Sequence, residues 1–305
     1  MFNCFRRNTE DETLYIIVPY FNFIGFETRR HLFIQFISEI KFKKGIKILV
    51  VEMDGPSPLP CLNVWKHVHV PMTNYIWVKE NLINFGSKFL PKTWKYIAWV
   101  DADISFLNSN WIEDTLTCLQ FYDMVQLFQS AINLGPNGEC VKVDKGFGYM
   151  HGASGTKFTK TDKYGFWHPG YAWACTRKCW YTLGGLIDWA ILGSADRHMA
   201  MAMIGLVDLS GPGTITQSYK KLLNEFQIRC EDLKLGYVHG SIVHHWHGSL
   251  ENRKYKERWQ ILTDSKFDPT KDIQINKQGL IEFTESGKRI ENEIKKYFIE
   301  RMEDS

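Results

Sequence analysis

The chain has 305 residues, 44% of them hydrophobic, which suffices for one large core or two small ones. Its 37 basic and 34 acidic residues give a formal net charge of +3, a balance that points away from nucleic acid and from a strongly acidic partner. Seven scattered cysteines without a CxxC pair indicate neither a zinc ribbon nor a disulfide framework, so reduced thiols in a cytosol-like compartment are expected.

The N-terminal MFNCFRRNTEDE is polar and lacks the apolar core of a signal peptide. No run approaches the roughly 18 apolar residues of a membrane span. The expectation is a soluble, cytoplasmic protein that works in the cytosol or on a membrane face. A first buried strand is read at 13–20 (TLYIIVPY). A helix follows at 26–41, with Phe33, Ile34, Ile37 and Ile40 at helical spacing. The run at 46–53 (IKILVVEM) reads as a second buried strand, ended by the turn Asp54-Gly55-Pro56-Ser57-Pro58. A short strand at 64–70, a helix at 75–90 stopped by Pro91, and a strand at 95–101 come next. Asn108-Ser109-Asn110 is a capping sequence for a helix at 111–121, and 123–128 reads as another strand. This alternation implies βαβ units and a mostly parallel sheet, with strand ends gathered on one edge.

From 133 to 166 the pattern dissolves into seven glycines with little periodicity, read as an active-site flap holding a hairpin. Order returns with a strand at 167–174, a helix at 177–183 closed by Gly184-Gly185, and a helix at 195–204 capped by Ser194. A last strand is read at 237–245, a charged helix at 250–262, and a terminal helix at 287–302. No linker divides the chain.

The stretch at 95–106 (KYIAWVDADISF) organises the rest. An apolar run covered on both faces ends in Asp101 and Asp103. In an extended chain, residues two apart point to one side, so both carboxylates are expected to face the carboxyl edge of the sheet, where open α/β sheets bind ligands. Two hard oxygen ligands there suit Mg²⁺ or Mn²⁺, and hence a diphosphate. The alternative is a solvated turn or a helix cap. Four histidines, His239, His244, His245 and His247, crowd the later strand end. Alternation in HHWHG would put His245 and His247 on one side.

The strand ending in Asp101-Ala102-Asp103, the βαβ run before it and the Trp- and Gly-rich segment after it resemble a metal-dependent glycosyltransferase of the GT-A type. YIAWVDADISF, HPGYAWACTRKCW and HHWHGSLENRKYKERW look like the family-2-like group that makes polysaccharides and glycans, in a branch common in viruses and bacteria. The resemblance covers about 12–265. It implies an α/β fold with a Rossmann-like, mostly parallel sheet flanked by helices, a small antiparallel addition and C-terminal helices. The donor half would be about 12–130, the acceptor half about 131–265, and 266–305 a helical extension.

The resemblance implies a UDP-sugar donor, Mn²⁺ or Mg²⁺, and a glycan, glycolipid or glycoprotein acceptor, with no nucleic acid. Asp103 matches the direct metal ligand, and Asp101 a contact to ribose or to the metal through water. His247 fits the C-terminal metal ligand, with His245 second, and an imidazole favours Mn²⁺ over Mg²⁺. Pro19, Tyr20 and Asn22 match the loop that borders the base. Glu52 or Asp54 matches the acid that contacts base or ribose. Asn84 matches the donor-binding helix, where Ile83 replaces the usual Arg and Lys79 or Lys88 supplies the charge. Asp196 matches the general base of inverting members, although Ala195 replaces the acid before it; capping of a helix is the alternative role. Trp167, Trp173 and Trp189 are expected either to stack on the acceptor sugar or to pack in the core. Arg253, Tyr255 and Arg258 follow on the charged helix, where a cation could meet the diphosphate and the basic face a membrane surface. Two rivals stand beside this reading. One is a metal-dependent hydrolase built on the His/Asp cluster, although no HExxH is present. The other is a glycosyltransferase-like protein that binds carbohydrate without turnover.

Overall fold

The structure is a computed structural model and describes residues 12–153, 158 and 167–305. Chain order begins β1 (Leu14–Tyr20), α1 (Glu27–Ile40), β2 (Ile46–Met53), β3 (Lys66–Val70), α2 (Lys79–Ser87), β4 (Tyr96–Val100), β5 (Ile104–Phe106) and α3 (Trp111–Cys118). It continues β6 (Met124–Gln126), β7 (Ser130–Leu134), β8 (Cys140–Gly146), α4 (Phe147–Gly152), β9 (Trp167–His168), β10 (Ala172–Thr176) and α5 (Arg177–Leu183). The last third holds α6 (Ala195–Met203), α7 (Gln217–Cys230), β11 (Leu235–Tyr237), β12 (Ser241–His244), α8 (Arg258–Asp264), β13 (Ile273–Ile275), β14 (Ile281–Phe283) and α9 (Glu291–Glu300).

The large sheet has seven strands in the order β11-β6-β10-β4-β1-β2-β3. All its pairings are parallel except those of β10, which runs antiparallel to β4 and to β6. The branched and aromatic runs of β1, β2 and β4 are buried on both faces because helices cover both. On one face α1 presents Phe33, Phe36, Ile37 and Ile40 to Ile16, Val18 and Val50. The other face packs Ile17, Leu49, Val51 and Trp99 against α2, α5, α6 and α7. A second sheet, β5-β12-β7-β8-β9, abuts the first just beyond the end of β4. No helix among the described residues is long and apolar enough to cross a membrane.

Several expected elements divide or shorten. The run 167–174 is two strands in different sheets, because Pro169-Gly170 breaks the extension. The strand expected at 237–245 splits at Gly240, whose φ of +117° lies outside the strand region. The charged helix at 250–262 is a single 3-10 turn, Glu251–Arg253, and then α8, separated at Lys254 with φ +43°. The first helix after β3 begins at Lys79 rather than 75, since Trp77 N donates to Ile191 O in a different segment. Asn108 accepts from Asn110 N before α3 but caps no helical N–H. Ser194 caps nothing; its hydroxyl instead accepts from Arg258 Nη2 at 2.6 Å.

The expected hairpin inside the flap is β7–β8, followed by α4. The remainder of that flap, apart from Phe158, lies outside the described residues. The tail after 265 is not helical throughout. It carries the β13–β14 hairpin, and Phe267, Leu280, Ile294 and Phe298 pack into the main core.

Candidate active site

The end of β4 and the start of β5 set the centre. Residues 101–103 form a turn between the two strands and not an extended segment, so Asp101 and Asp103 reach different neighbours. Asp101 N donates to Tyr171 O at 2.7 Å, and its carboxylate lies 2.5 Å from Lys79 Nζ. Burial pushes the Asp101 carboxyl above its usual range, with Lys79 opposing. Asp103 belongs to the second sheet. Its carbonyl accepts from His245 N at 2.8 Å, and Ile104 pairs with His244 across β5–β12. That register brings the Asp103 carboxylate to 2.8 Å from His247 Nε2 and 3.8 Å from His244 Nε2.

The tautomer of His244 follows from its neighbours. Asn133 Nδ2 donates to Asp144 at 3.0 Å, which turns the amide oxygen toward His244 Nδ1, 3.1 Å away. An amide oxygen only accepts, so Nδ1 carries the His244 proton and Nε2 carries a lone pair. Burial lowers the His244 pKa to about 4 and keeps the ring neutral. Arg253 Nη2 lies 2.6 Å from His247 Nε2, the same nitrogen that faces the Asp103 carboxylate. The distance from His247 Nε2 to His244 Nε2 is 3.2 Å. Asp103 Oδ1 is buried without a partner. Asp103, His244 and His247 each bring a donor atom here, and the three lie within 4.8 Å of one another. A carboxylate and two imidazoles, one oriented from behind by an amide, suit a divalent transition ion.

Two adjoining cavities open here. The first, about 700 Å³, is lined by Tyr20, Arg29, Trp77, Lys79, Asp101, Asp103, His247, Arg253 and Arg301. Four cations face two carboxylates, which suits an anionic ligand that brings its own counter-ion. The second, about 1030 Å³, shares Trp77, Lys79, Asp101, Arg253 and Arg301 and adds Glu80, Asp144, His168, Tyr171, Asp196, Tyr255 and Arg258. Asp196 stands in the first turn of α6, with Oδ1 accepting from Arg197 N at 2.8 Å. Gly170 lets it sit there: a Cβ on that residue would lie 2.9 Å from Asp196 Oδ2 and 3.0 Å from His168 Cε1. Burial raises the Glu80 carboxyl to about 8; Lys79 opposes and Asp196 adds to the rise. Burial also depresses His168, so both groups face the cavity uncharged at neutral pH.

Other expected site residues stand elsewhere. His245 is not beside His247: its Nε2 meets Ser105 Oγ at 2.8 Å, because the chain leaves the strand after His244 and alternation no longer applies. The imidazole that joins His247 beside Asp103 is that of His244, three residues earlier. Pro19 and Tyr20 border the first cavity, where Tyr20 OH donates to Ser57 O. The Asn22 amide is fully engaged in its own turn, accepting from Gly25 N and Phe26 N and donating to Phe26 O. Glu52 is buried against Leu59 N and His67, outside both cavities, and Asp54 is exposed beyond it. Asn84 ties α2 to Leu186 and Asp188 and lines neither cavity. Trp167 and Trp173 are core residues, packed on Phe147 and bonded to Pro169 O respectively. Trp189 packs on Tyr219 and His198. The tryptophan that faces both cavities is Trp77.

Arg29, Trp77, Glu80 and Arg301 were not read from the sequence as site residues. Arg29 sits one turn into the helix after β1, a position that points back over the edge of the sheet and could have been noticed. Nothing local to Arg301 signals its place. It arrives through the tail, where Glu303 accepts from Arg29 at 2.6 and 2.8 Å and from Arg301 at 2.6 Å.

The fold is thus mixed α/β, a largely parallel sheet with a smaller second sheet at its carboxyl edge. No family model and no curated protein matches the sequence. Among solved structures the chain is similar to the catalytic domain of Drosophila β1,4-galactosyltransferase 7 in complex with xylobiose, at 15% identity and a TM-score of 0.37, over 90% of this chain and 94% of that one. It is similar to the mannosyltransferase PcManGT from Pyrobaculum calidifontis in complex with GDP-Man and Mn²⁺, at 12% identity and 0.44, over 83% and 61%. Glucosyl-3-phosphoglycerate synthase from Mycobacterium tuberculosis, in complex with Mn²⁺, UDP and glucosyl-3-phosphoglycerate, stands at 10% and 0.43, over 84% and 77%.

Proposed function

We propose that the chain is a metal-dependent glycosyltransferase. It moves a sugar from a nucleoside-diphosphate sugar, with uridine the favoured nucleoside, to a hydroxyl of a glycan, glycolipid or glycoprotein, with inversion. The observation that carries this reading is the convergence of three donor atoms, from Asp103, His244 and His247, on the floor of a trough walled by Arg29, Lys79, Arg253 and Arg301. A trough with both a cation site and fixed positive charge matches a diphosphate.

Asp103, His244 and His247 would hold Mn²⁺, or Mg²⁺ less favourably. The ion supplies positive charge beside the diphosphate as negative charge develops on it. Lys79 holds Asp101 in place, and Arg253 and Arg301 face the same trough as electrostatic partners of the leaving group. In the second cavity Asp196 serves as general base. The acceptor oxygen bonds to the anomeric carbon, the bond from that carbon to the diphosphate oxygen breaks, and the hydroxyl proton passes to the Asp196 carboxylate. Trp77, between the cavities, offers the flat face next to which sugar rings sit.

The test is calorimetric titration of UDP, with GDP as control, with and without Mn²⁺, into wild type and Asp103→Ala. Metal-dependent UDP binding that disappears in the variant supports the reading and leads to a screen of UDP-sugars for hydrolysis and transfer. Absence of binding by both nucleotides overturns it, and ester hydrolysis supported by zinc without any nucleotide would install the hydrolase instead.

A further inference from the structure

Away from the trough, β2 and the edge strand β3 bring a second set of donor atoms together. His67 and His69 lie two apart on β3, so both imidazoles leave the same face. The parallel register sets Glu52 beside His69 and Val50 beside His67, which puts all three polar side chains on that face. Glu52 Oε2 is 2.6 Å from His67 Nε2 and 3.8 Å from His69 Nδ1. The two rings stack with centroids 4.4 Å apart. Asp54 Oδ1, on the exposed turn that follows, is 4.0 Å from His69 Nδ1.

Zinc bonds nitrogen and oxygen at about 2.0–2.2 Å, so donor atoms around a tetrahedral ion stand roughly 3.4 Å apart. The distances of 2.6, 3.8 and 4.0 Å straddle that value and need only small side-chain rotations. The glutamate is oriented from behind, since its other oxygen accepts from Leu59 N at 2.8 Å. That is the arrangement by which backbone groups hold a ligating carboxylate. Glu52 is 1% exposed, and among the described residues its ion-pair partners are the two imidazoles. Imidazoles compensate a buried carboxylate only when protonated, whereas a divalent ion does so with both rings neutral.

We infer that Glu52, His67 and His69 form a second divalent-cation site, of the imidazole-preferring zinc class, with a fourth position open to Asp54 or water. It is structural. It joins the edge strand β3 to β2 and anchors the turn at 54–59, whose Ser57 carbonyl receives the hydroxyl of Tyr20 at the wall of the trough. The site does not depend on the transferase reading.

The test is competition for Zn²⁺ against a chromophoric chelator, with the full-length chain. Asp103→Ala is the starting protein, so that the Asp103–His244–His247 trio does not contribute. One equivalent of Zn²⁺ is expected to bind it and to raise its melting temperature. Adding His69→Gln is expected to lower the affinity at least on the order of 100-fold, since the loss of even an outer partner costs 10- to 100-fold. The His69 side chain is 56% exposed, so this change leaves the fold intact, which melting in EDTA checks. No zinc uptake by Asp103→Ala, or equal uptake with and without His69, overturns the inference.

Discussion

Glu303→Gln tests whether the tail is an integral part of the molecule. The Glu303 carboxylate is 2% exposed and bonds to Arg29 and Arg301, whose side chains are 23% and 5% exposed. Breaking a buried charge pair costs roughly 3–5 kcal/mol, because the partner is left uncompensated. Two features lower that figure here. Arg29 keeps some contact with water, and a Gln amide oxygen in the place of Oε1 still accepts two of the three hydrogen bonds. The expected loss is therefore about 2–3 kcal/mol. At about 2.1 cal/mol/K per residue, a chain of 305 residues has an unfolding entropy near 0.64 kcal/mol/K, so each kcal/mol lowers the melting temperature by about 1.6 °C. The expected decrease is about 3–5 °C by calorimetry. A cycle with Arg29→Met isolates the pair, and a coupling of about 1 kcal/mol or more is expected. A decrease below about 1 °C, or no coupling, would refute the view that the tail is clamped by this network.

Three further outcomes follow from the same geometry. Asp196→Asn is expected to leave Mn²⁺-dependent UDP binding unchanged and to lower kcat by about 10²- to 10⁴-fold; equal activity in a steady-state transfer assay would remove Asp196 as base. Gly170→Ala places a methyl 2.9 Å from Asp196 Oδ2, the mobile end of a side chain. It also lies 3.0 Å from Cε1 of the His168 ring, which stacks on Tyr171, so a modest fall in melting temperature accompanies the displacement of that carboxylate, which lowers kcat on the order of 100-fold. Asp272 accepts from Arg289 at 2.6 and 2.8 Å, from Ser286 and from Asp268 N. Burial alone would raise its pKa, but these partners outweigh it and hold the folded carboxyl below its usual value. A depressed folded pKa means stability that is fully present above the unfolded value near 3.9 and lost as pH falls through the folded one. Asp272→Asn should therefore destabilise at pH 7 and flatten the acid limb of a melting-temperature-versus-pH curve below about pH 4; an unchanged limb would contradict the assignment.

The parts of the fold legible in the sequence were those set by local pattern. β1, β2 and β4 are apolar runs long enough to be covered twice, and α1 and α5 carry clear spacing or end signals such as Gly184 with φ +73°. α7 was equally legible, with Tyr219, Leu223, Phe226 and Cys230 on one face, but its polar remainder drew no attention. What failed was alternation carried past a strand end. His245 and His247 share a side only if the chain stays extended, and it turns after His244. Asp101 and Asp103 both reach the trough, although through a turn. The sequence leaves Trp167 and Trp173 open between acceptor site and core because burial of a large ring is decided by distant packing, which puts both in the core and Trp77 at the cavity. Arg301 depends on a contact across more than 250 residues, beyond any local signal.

The two carboxylates at the centre are rooted in different sheets, Asp101 at the end of β4 and Asp103 at the start of β5. A ligand that engages both the Lys79–Asp101 wall and the Asp103–His244–His247 floor therefore acts as a staple across a mechanical seam. Without it the two sheets are joined by the core that Ile104, Ala131 and Ile242 share with Val100, and the short strands of the small sheet open more readily than β4. With it, opening either sheet means releasing the ligand, so the two should unfold as one unit. Amide exchange would report this directly, because protection at Ile242 and His244 of β12 should rise toward that of Ala98 and Val100 of β4 when the trough is filled.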